Sequence, residues 1–202
     1  MDHEPPTVTR GPLIVLSGPS GVGKSTVVDR VIASAGLNLR RAVTATTREP
    51  RPGERPEVDY HYWTRDRFEA ALATGEMLEH AVVHGRDYYG TPRSEVDPYR
   101  ERGTGVVLVI DVQGAASVRQ LYAGDHVSVF LDPPTFEELE ARLRGRGEKD
   151  ESIRRRLDTA RRELERRGEF DRHVLNGVLD VAAKDLEAII REQFVSRDSD
   201  KG

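Results

Sequence analysis

The sequence predicts an α/β fold, a parallel sheet flanked by helices, and three observations carry that prediction. Short aliphatic runs alternate with helix-period patterns through much of the chain, as parallel strands require because each crossover between them is a helix. The run Val106–Ile110 is apolar throughout and rich in β-branched residues, which suits a strand buried on both faces. The first aliphatic run leads straight into a glycine-rich turn that closes on Lys24 and Ser25.

Taken in order, the strands of the sheet are read as Leu13–Leu16, Ala42–Thr44, Val106–Ile110, Val127–Leu131 and His173–Leu175. A helix is predicted over Lys24–Ala35, stopped by Gly36, which tolerates the left-handed conformation that ends helices. Gln113–Tyr122 follows the third strand, and Phe136–Leu143 begins behind Thr135 with Glu138 completing a capping box. Asp180 is read as the cap of a last helix, Val181–Phe194. Between the second and third strands the alternation breaks. Roughly Thr46–Gly103 holds β-prone pieces (Tyr60–Trp63, Met77–Val83, Asp87–Thr91) around a short helix, Arg65–Ala73, and reads as an inserted α+β subdomain. Pro98 lies in an otherwise helical pattern, so a restart is expected there with Asp97 as its cap.

Composition bounds the rest. The 202 residues carry 31 Lys+Arg against 35 Asp+Glu, a net charge of −4, and no Cys. One domain with insertions is expected at this length. Without Cys there are no disulfides, thiolate metal sites or Cys nucleophile. The aliphatic runs are too short to span a bilayer, and Met1–Pro12 is polar and Pro-rich rather than a leader. The expectation is a soluble cytoplasmic protein with no membrane and, given the mildly acidic total, no nucleic-acid partner. Of the basic residues 27 are Arg and four are Lys, and the stretch Arg142–Arg172 concentrates them.

Gly18-Pro19-Ser20-Gly21-Val22-Gly23-Lys24-Ser25, followed by Thr26, is a complete G-x-x-x-x-G-K-[ST] set between a predicted strand and a predicted helix. The glycines let successive N–H groups converge on phosphate oxygens, and the helix N-terminus adds positive potential. Lys24 offers a point charge to the β- and γ-phosphates, and the Ser25 hydroxyl is placed for Mg²⁺. The chain is therefore expected to bind a nucleoside triphosphate. Asp111 ends the third strand, where an acidic residue holds magnesium directly or through water; the plainer alternative is an Asp that ends a strand and caps the next helix.

The segment after the second strand points to what accepts the phosphate. Arg48 and Arg51 stand three apart in a loop braced by Pro50 and Pro52, where two guanidinium forks can meet one dianionic phosphate. Tyr60 and Tyr89 supply phenolic donors. His80 and His84 lie four apart, but their segment reads as strand or bend, and no third zinc ligand is evident. Trp63 and Phe68 are read as subdomain core, and no Ser-His-Asp arrangement can be argued.

The pieces SGPSGVGKST, TTREPRPGE, DYHY, EMLEHA, YYGTP, IDVQGA, FLDPP and RLRGRG…RRRL occur in the order found in guanylate kinases. The resemblance covers about Leu13 to Phe194. It implies a P-loop NTPase core (about 11–45, 104–141 and 168–196) with a five-stranded parallel sheet. It further implies an NMP-binding subdomain (about 46–103), an Arg-rich helical lid (about 142–167), and transfer of the ATP γ-phosphoryl group to GMP, and to dGMP, with Mg²⁺. By the same resemblance Arg48, Arg51, Tyr60 and Tyr89 hold the GMP phosphate, and Glu79 reads guanine with Thr44 and Thr91 as hydroxyl partners. Arg142, Arg146 and Arg156 close over the triphosphate beside Lys24, and Asn176 contacts adenine. Ser25 and Asp111 hold the metal, Asp111 also facing the acceptor.

The sequence departs from the family pattern in three places. Val109 stands where an acidic residue is common two before Asp111, leaving Asp111 alone or helped by water. Gly177 replaces a more usual Asp. The turn HGRDYYG looks one residue longer, and Tyr89 rather than Tyr88 is taken as the phosphate ligand. The remaining arginines of the basic stretch are expected on solvated helix faces, paired with Glu and Asp. The alternatives are a non-catalytic guanylate-kinase-like binding module, against which Lys24 and Ser25 stand intact, and a related small kinase with another phosphorylated acceptor. No oligomeric state is read from the sequence.

Overall fold

A computed structural model describes residues 9–51, 53–83, 86–145 and 150–199. Nine strands and seven helices occur among them. The strands are β1 (Leu13–Ser17), β2 (Leu39–Arg41), β3 (Ala45–Thr46), β4 (His61–Tyr62), β5 (Met77–Val83), β6 (Asp87–Pro92), β7 (Gly105–Val109), β8 (Val127–Asp132) and β9 (Arg172–Leu175). The helices are α1 (Lys24–Ser34), α2 (Arg65–Ala73), α3 (Asp97–Glu101), α4 (Val112–Leu121), α5 (Phe136–Arg144), α6 (Asp150–Glu165) and α7 (Leu179–Ser199).

The main sheet has five strands in the order β2-β7-β1-β8-β9, and every pairing in it is parallel. This is the predicted α/β class. β1 is wholly buried, and its alternate side chains feed two cores: Ile14 and Leu16 pack with α1 and α7 residues such as Val27, Val31, Leu186 and Ile190. Leu13 and Val15 pack with Ala115 and Val118 of α4 and with Phe130 and Phe170. Burying each such side chain is worth about 1.5–3 kcal/mol, so the loop at the end of β1 hangs from the most heavily anchored strand.

A second sheet of four strands, β4-β3-β6-β5, lies within the insertion. Its β5–β6 and β3–β6 pairs are antiparallel. Phe68 and Ala71 of α2 are buried against Ala45 and Met77, with Trp63 packed at the margin, so the two aromatics form core as expected. Phe68 stacks on Tyr88 with centroids 5.1 Å apart.

Several expectations need correction. The second strand of the main sheet is Leu39–Arg41, not Ala42–Thr44; Ala42 still donates its N–H to Val107 O at 3.0 Å, and the chain then leaves for the other sheet. No apolar run marks this edge strand because its arginines lie along the surface, Arg40 over the Tyr99 ring at 3.6 Å. Asp97 is the first residue of α3 rather than its cap, with Pro98 in the first turn, and its carboxylate accepts instead from Tyr122 Oη at 2.8 Å and Arg10 at 3.0 Å. The last helix starts at Leu179 and runs to Ser199, so Asp180 lies in its first turn. Thr135 does cap α5, its Oγ1 accepting from Glu138 N–H at 3.1 Å.

Candidate nucleotide site

The turn after β1 places backbone where side chains cannot go. Gly18 has φ +143°, and a Cβ there would lie 2.4 Å from Leu131 O. Gly23, at φ 100°, is the residue from which α1 starts, so the helix N-terminus and the loop N–H groups face one space, as an anion site needs. Lys24 lies in that space, its Nζ donating back to Gly18 O and Pro19 O. Burial lowers its pKa, and the Glu163 and Asp111 carboxylates oppose that shift.

Helix α6 clamps the loop from above. Glu163 accepts from Ser20 N–H at 3.1 Å, and Arg156 donates to Ser20 Oγ at 2.9 and 3.1 Å. These residues are seven apart and share one helix face. Burial raises the pKa of Glu163 while Lys24 pulls it down. The other side of the loop is held at Val22 O, which accepts from Asn176 Nδ2 at 2.7 Å. Arg142 donates to Asn176 O at 2.9 Å and is 3.4 Å from Val22 O.

A cavity of about 660 Å³ opens between the loop, the second sheet and α6. Its lining includes Ser20, Lys24 and Ser25 from the loop and Thr44, Tyr60, Glu79 and Tyr89 from the insertion, with Asp111 and Glu163 between them. Glu79, only 6% exposed, accepts from Thr91 Oγ1 at 2.7 Å. Burial is the main cause that pushes its pKa up to about 7; the Thr91 hydrogen bond opposes this and the Asp111 charge adds to it. Gly114 of α4 packs beneath this carboxylate, where a Cβ would come within 2.6 Å of Glu79 Oε2.

Arg48 lies beside the cavity rather than in its lining. It donates through Nε to Tyr89 Oη at 2.9 Å and through both terminal nitrogens to Glu54 at 2.6 and 2.7 Å. Burial works against the Glu54 charge, but hydrogen bonds from Arg48, Arg51 N–H and Tyr62 outweigh it and hold the pKa at about 2. Strand alternation separates the two tyrosines of β6: Tyr89 meets Tyr60 edge-on at 5.9 Å, whereas Tyr88 turns to Phe68 and α2.

The structure thus gathers Ser20, Lys24, Ser25, Thr44, Tyr60, Glu79, Tyr89, Asp111 and Arg156 around one space. Thr91 backs Glu79, Arg48 stands beside the cavity on Tyr89, Arg51 is exposed outside its lining, and Arg142 and Asn176 sit behind the loop at Val22. Arg146 and His84 lie outside the described residues. Asp111 does cap α4, Oδ1 accepting from Gln113 and Gly114 N–H, yet it also lines the cavity. The capping alternative therefore holds, and the second carboxylate oxygen has no hydrogen-bond partner among the described residues. Val109 lines the cavity as well, offering methyl groups there.

Sequence reasoning missed Glu163: its stretch is read only as arginines on solvated faces paired with Glu and Asp. Such pairs exist, among them Arg155–Glu151 and Arg161–Asp158, but Glu163 lies seven after Arg156, on the face that meets the loop. Helical phase was the available signal. Glu54 and Gly114 stood inside quoted motifs with no role given. Among the described residues no group of three or more His, Asp or Glu is placed to hold a metal by itself, and no helix is long and apolar enough to cross a membrane.

Fold and loop together define a P-loop nucleotide-binding α/β protein, with the buried carboxylate of Glu79 in the cavity that opens on the phosphate loop. Comparison with known proteins sharpens this class. The guanylate kinase family model matches residues 10–193. The guanylate kinase of Bifidobacterium longum is 46% identical over 188 residues, covering 91% of this chain and 95% of that protein. The guanylate kinase of Synechococcus sp. is 45% identical, covering 92% and 84%. The crystal structure of guanylate kinase from Anaplasma phagocytophilum superposes with a TM-score of 0.77 at 31% identity, covering 92% of this chain and 87% of that one. The chain belongs to the guanylate kinase family.

Proposed function

We propose that this protein transfers the terminal phosphoryl group of ATP to the phosphate of GMP, and likewise of dGMP, releasing ADP and the nucleoside diphosphate. One observation carries the reading: a buried carboxylate, Glu79, opens on the same cavity as the phosphate-loop lysine, Lys24. Guanine presents N1–H and its 2-amino group side by side, and one carboxylate accepts from both. Adenine presents a lone pair at N1 and no amine at C2, so the buried carboxylate would go unpaired against it. A site built this way rejects the analogue by roughly 10⁴-fold or more.

In this reading the second sheet with α2 is the acceptor subdomain and α6 the lid. Tyr60, Tyr89, Arg48 and Arg51 hold the acceptor phosphate, and Thr44 and Thr91 help to seat the base. Lys24, the loop N–H groups and Arg156 neutralise the transferring group, joined by Arg142 and Arg146. Transfer is direct: a phosphate oxygen of GMP bonds to the γ-phosphorus as the bond to the β,γ-bridging oxygen breaks, and no enzyme group is phosphorylated. Such a step needs positioning and charge neutralisation rather than covalent help. Ser25 Oγ and the uncommitted oxygen of Asp111 are hard oxygen donors of the kind magnesium takes, and both residues line the cavity. Bound there with ATP, Mg²⁺ would neutralise β- and γ-phosphate charge. A coupled ADP-release assay with GMP and dGMP against AMP, CMP and UMP tests the proposal. Turnover confined to the two guanine nucleotides is expected; equal use of AMP would overturn it.

A further inference from the structure

The acceptor side contains a carboxylate that the proposed mechanism does not use. Glu54 accepts from Arg48 Nη1 at 2.7 Å, Arg48 Nη2 at 2.6 Å, Arg51 N–H at 2.8 Å and Tyr62 Oη at 2.7 Å. Arg48 has one further bond from Nη1 to Glu49 O at 2.7 Å and its Nε bond to Tyr89. Four of its five N–H hydrogens are therefore committed. Its guanidinium is also flanked by the Tyr60 ring at 5.1 Å and the Tyr62 ring at 5.9 Å. The Arg51 guanidinium, by contrast, has no partner among the described residues and is exposed.

We infer that Glu54 is a positioning residue for the acceptor phosphate: one carboxylate fixes the plane of Arg48 and the backbone from which Arg51 projects. Three things follow from the geometry. Arg48 is balanced by Glu54, so the uncompensated cation presented to a dianionic phosphate is Arg51. Arg48, donating to the Tyr89 oxygen, leaves the phenolic hydrogen to point onward, and a hydroxyl that accepts from a cation donates more strongly. Only one Arg48 hydrogen, on Nη2, remains for the phosphate itself.

The rival reading is that Glu54 is an internal anion standing in the place of the phosphate and leaving when GMP arrives. Its anchoring argues against that. Glu54 also donates its own N–H to Arg51 O at 3.0 Å, in a turn where Gly53 has φ +87°. Backbone and side chain thus both bind residue 51, and Tyr62 holds the carboxylate from the second sheet. Swinging away would break the turn that carries Arg51.

This inference rests on the GMP reading, and the test separates the two. Glu54→Gln keeps the shape but presents an amide N–H₂ to Arg48. Its KM for GMP should rise about tenfold or more, with KM for ATP within about twofold and kcat changed less than KM for GMP. Glu54→Asp, charged but shorter, should recover part of the loss. Tyr62→Phe, which removes one donor to Glu54, should raise KM for GMP about two- to threefold with an unchanged melting temperature, and it carries the test if Glu54→Gln does not fold. An unmoved KM for GMP in Glu54→Gln or Tyr62→Phe, or KM values for both substrates rising together, overturns the inference, and a lowered KM for GMP establishes the rival. Failure of the wild-type protein to phosphorylate GMP at all would instead refute the proposed function.

Discussion

The phosphate loop and the acceptor pocket each prepare for an anion, and they do so by opposite means. The loop is built from backbone: Gly18 passes 2.4 Å from Leu131 O at the place a Cβ would occupy, Gly23 aims α1, and Lys24 rests on loop carbonyls. The acceptor pocket is built from side chains, with Arg48 beside it already paired with Glu54 and the Glu79 carboxylate buried beside Thr91. Backbone amides carry partial charges that cannot be titrated or moved. Side chains bring full charges that must be balanced before the ligand arrives. In the proposed reading the loop serves phosphates common to all nucleotides, and the pocket serves one base.

That contrast can be broken most severely at Lys24. Lys24→Ala should lower kcat by roughly 10³-fold or more while circular dichroism shows the fold intact. Near-normal turnover would sink the phosphate-loop assignment. Glu79→Gln comes next: kcat/KM for GMP should fall roughly 10²-fold or more, with ATP binding unchanged. Unaltered GMP kinetics would refute the guanine role.

The same substitution should stabilise the empty protein above neutral pH. The folded pKa of Glu79, about 7, stands above the ordinary 4.5, so the folded chain holds this proton more tightly than the unfolded one. That contribution is complete below pH 4.5 and is lost as pH rises through 7. Glu79→Gln removes the loss, a gain on the order of 3 kcal/mol at pH 8, read from denaturant midpoints at pH 5 and 8.

A smaller effect follows from the same ionisation. KM for GMP should rise as pH falls below about 7, by up to about tenfold per pH unit, because the protonated carboxyl cannot accept from both guanine donors. A flat profile in the wild type would show that another group reads the base. The mildest change is Glu163→Gln. Loosening the bond to Ser20 N–H should raise KM for ATP about three- to fivefold with KM for GMP unmoved; a matching rise for GMP would show that α6 governs both halves of the site rather than the loop alone.

Legibility in the sequence followed the same divide. The loop could be read almost atom by atom, because glycine spacing, the flanking strand and the following helix are local facts. Three strands of the parallel sheet were legible from buried runs; β9 buries only Val174, and β2, whose Leu-Arg-Arg has no apolar pattern, becomes a strand by pairing with β7. The guanine role proposed for Glu79 came only through family resemblance. Alone the residue was one more strand carboxylate.

What the sequence determined by itself is what neighbours in the chain can settle: the α/β alternation, the phosphate loop, the helix in the insertion and the turn that carries Arg51. Tertiary structure decided the partners. It brought Glu163 down onto Ser20, gave Asn176 and Arg142 to the back of the loop, set Gly114 under Glu79 and turned Tyr89 inward while Tyr88 joined the core. The physical reason is that these contacts join residues from about 20 to more than 140 positions apart. A charge's partner at that separation is fixed by which strands lie side by side, not by spacing along the chain.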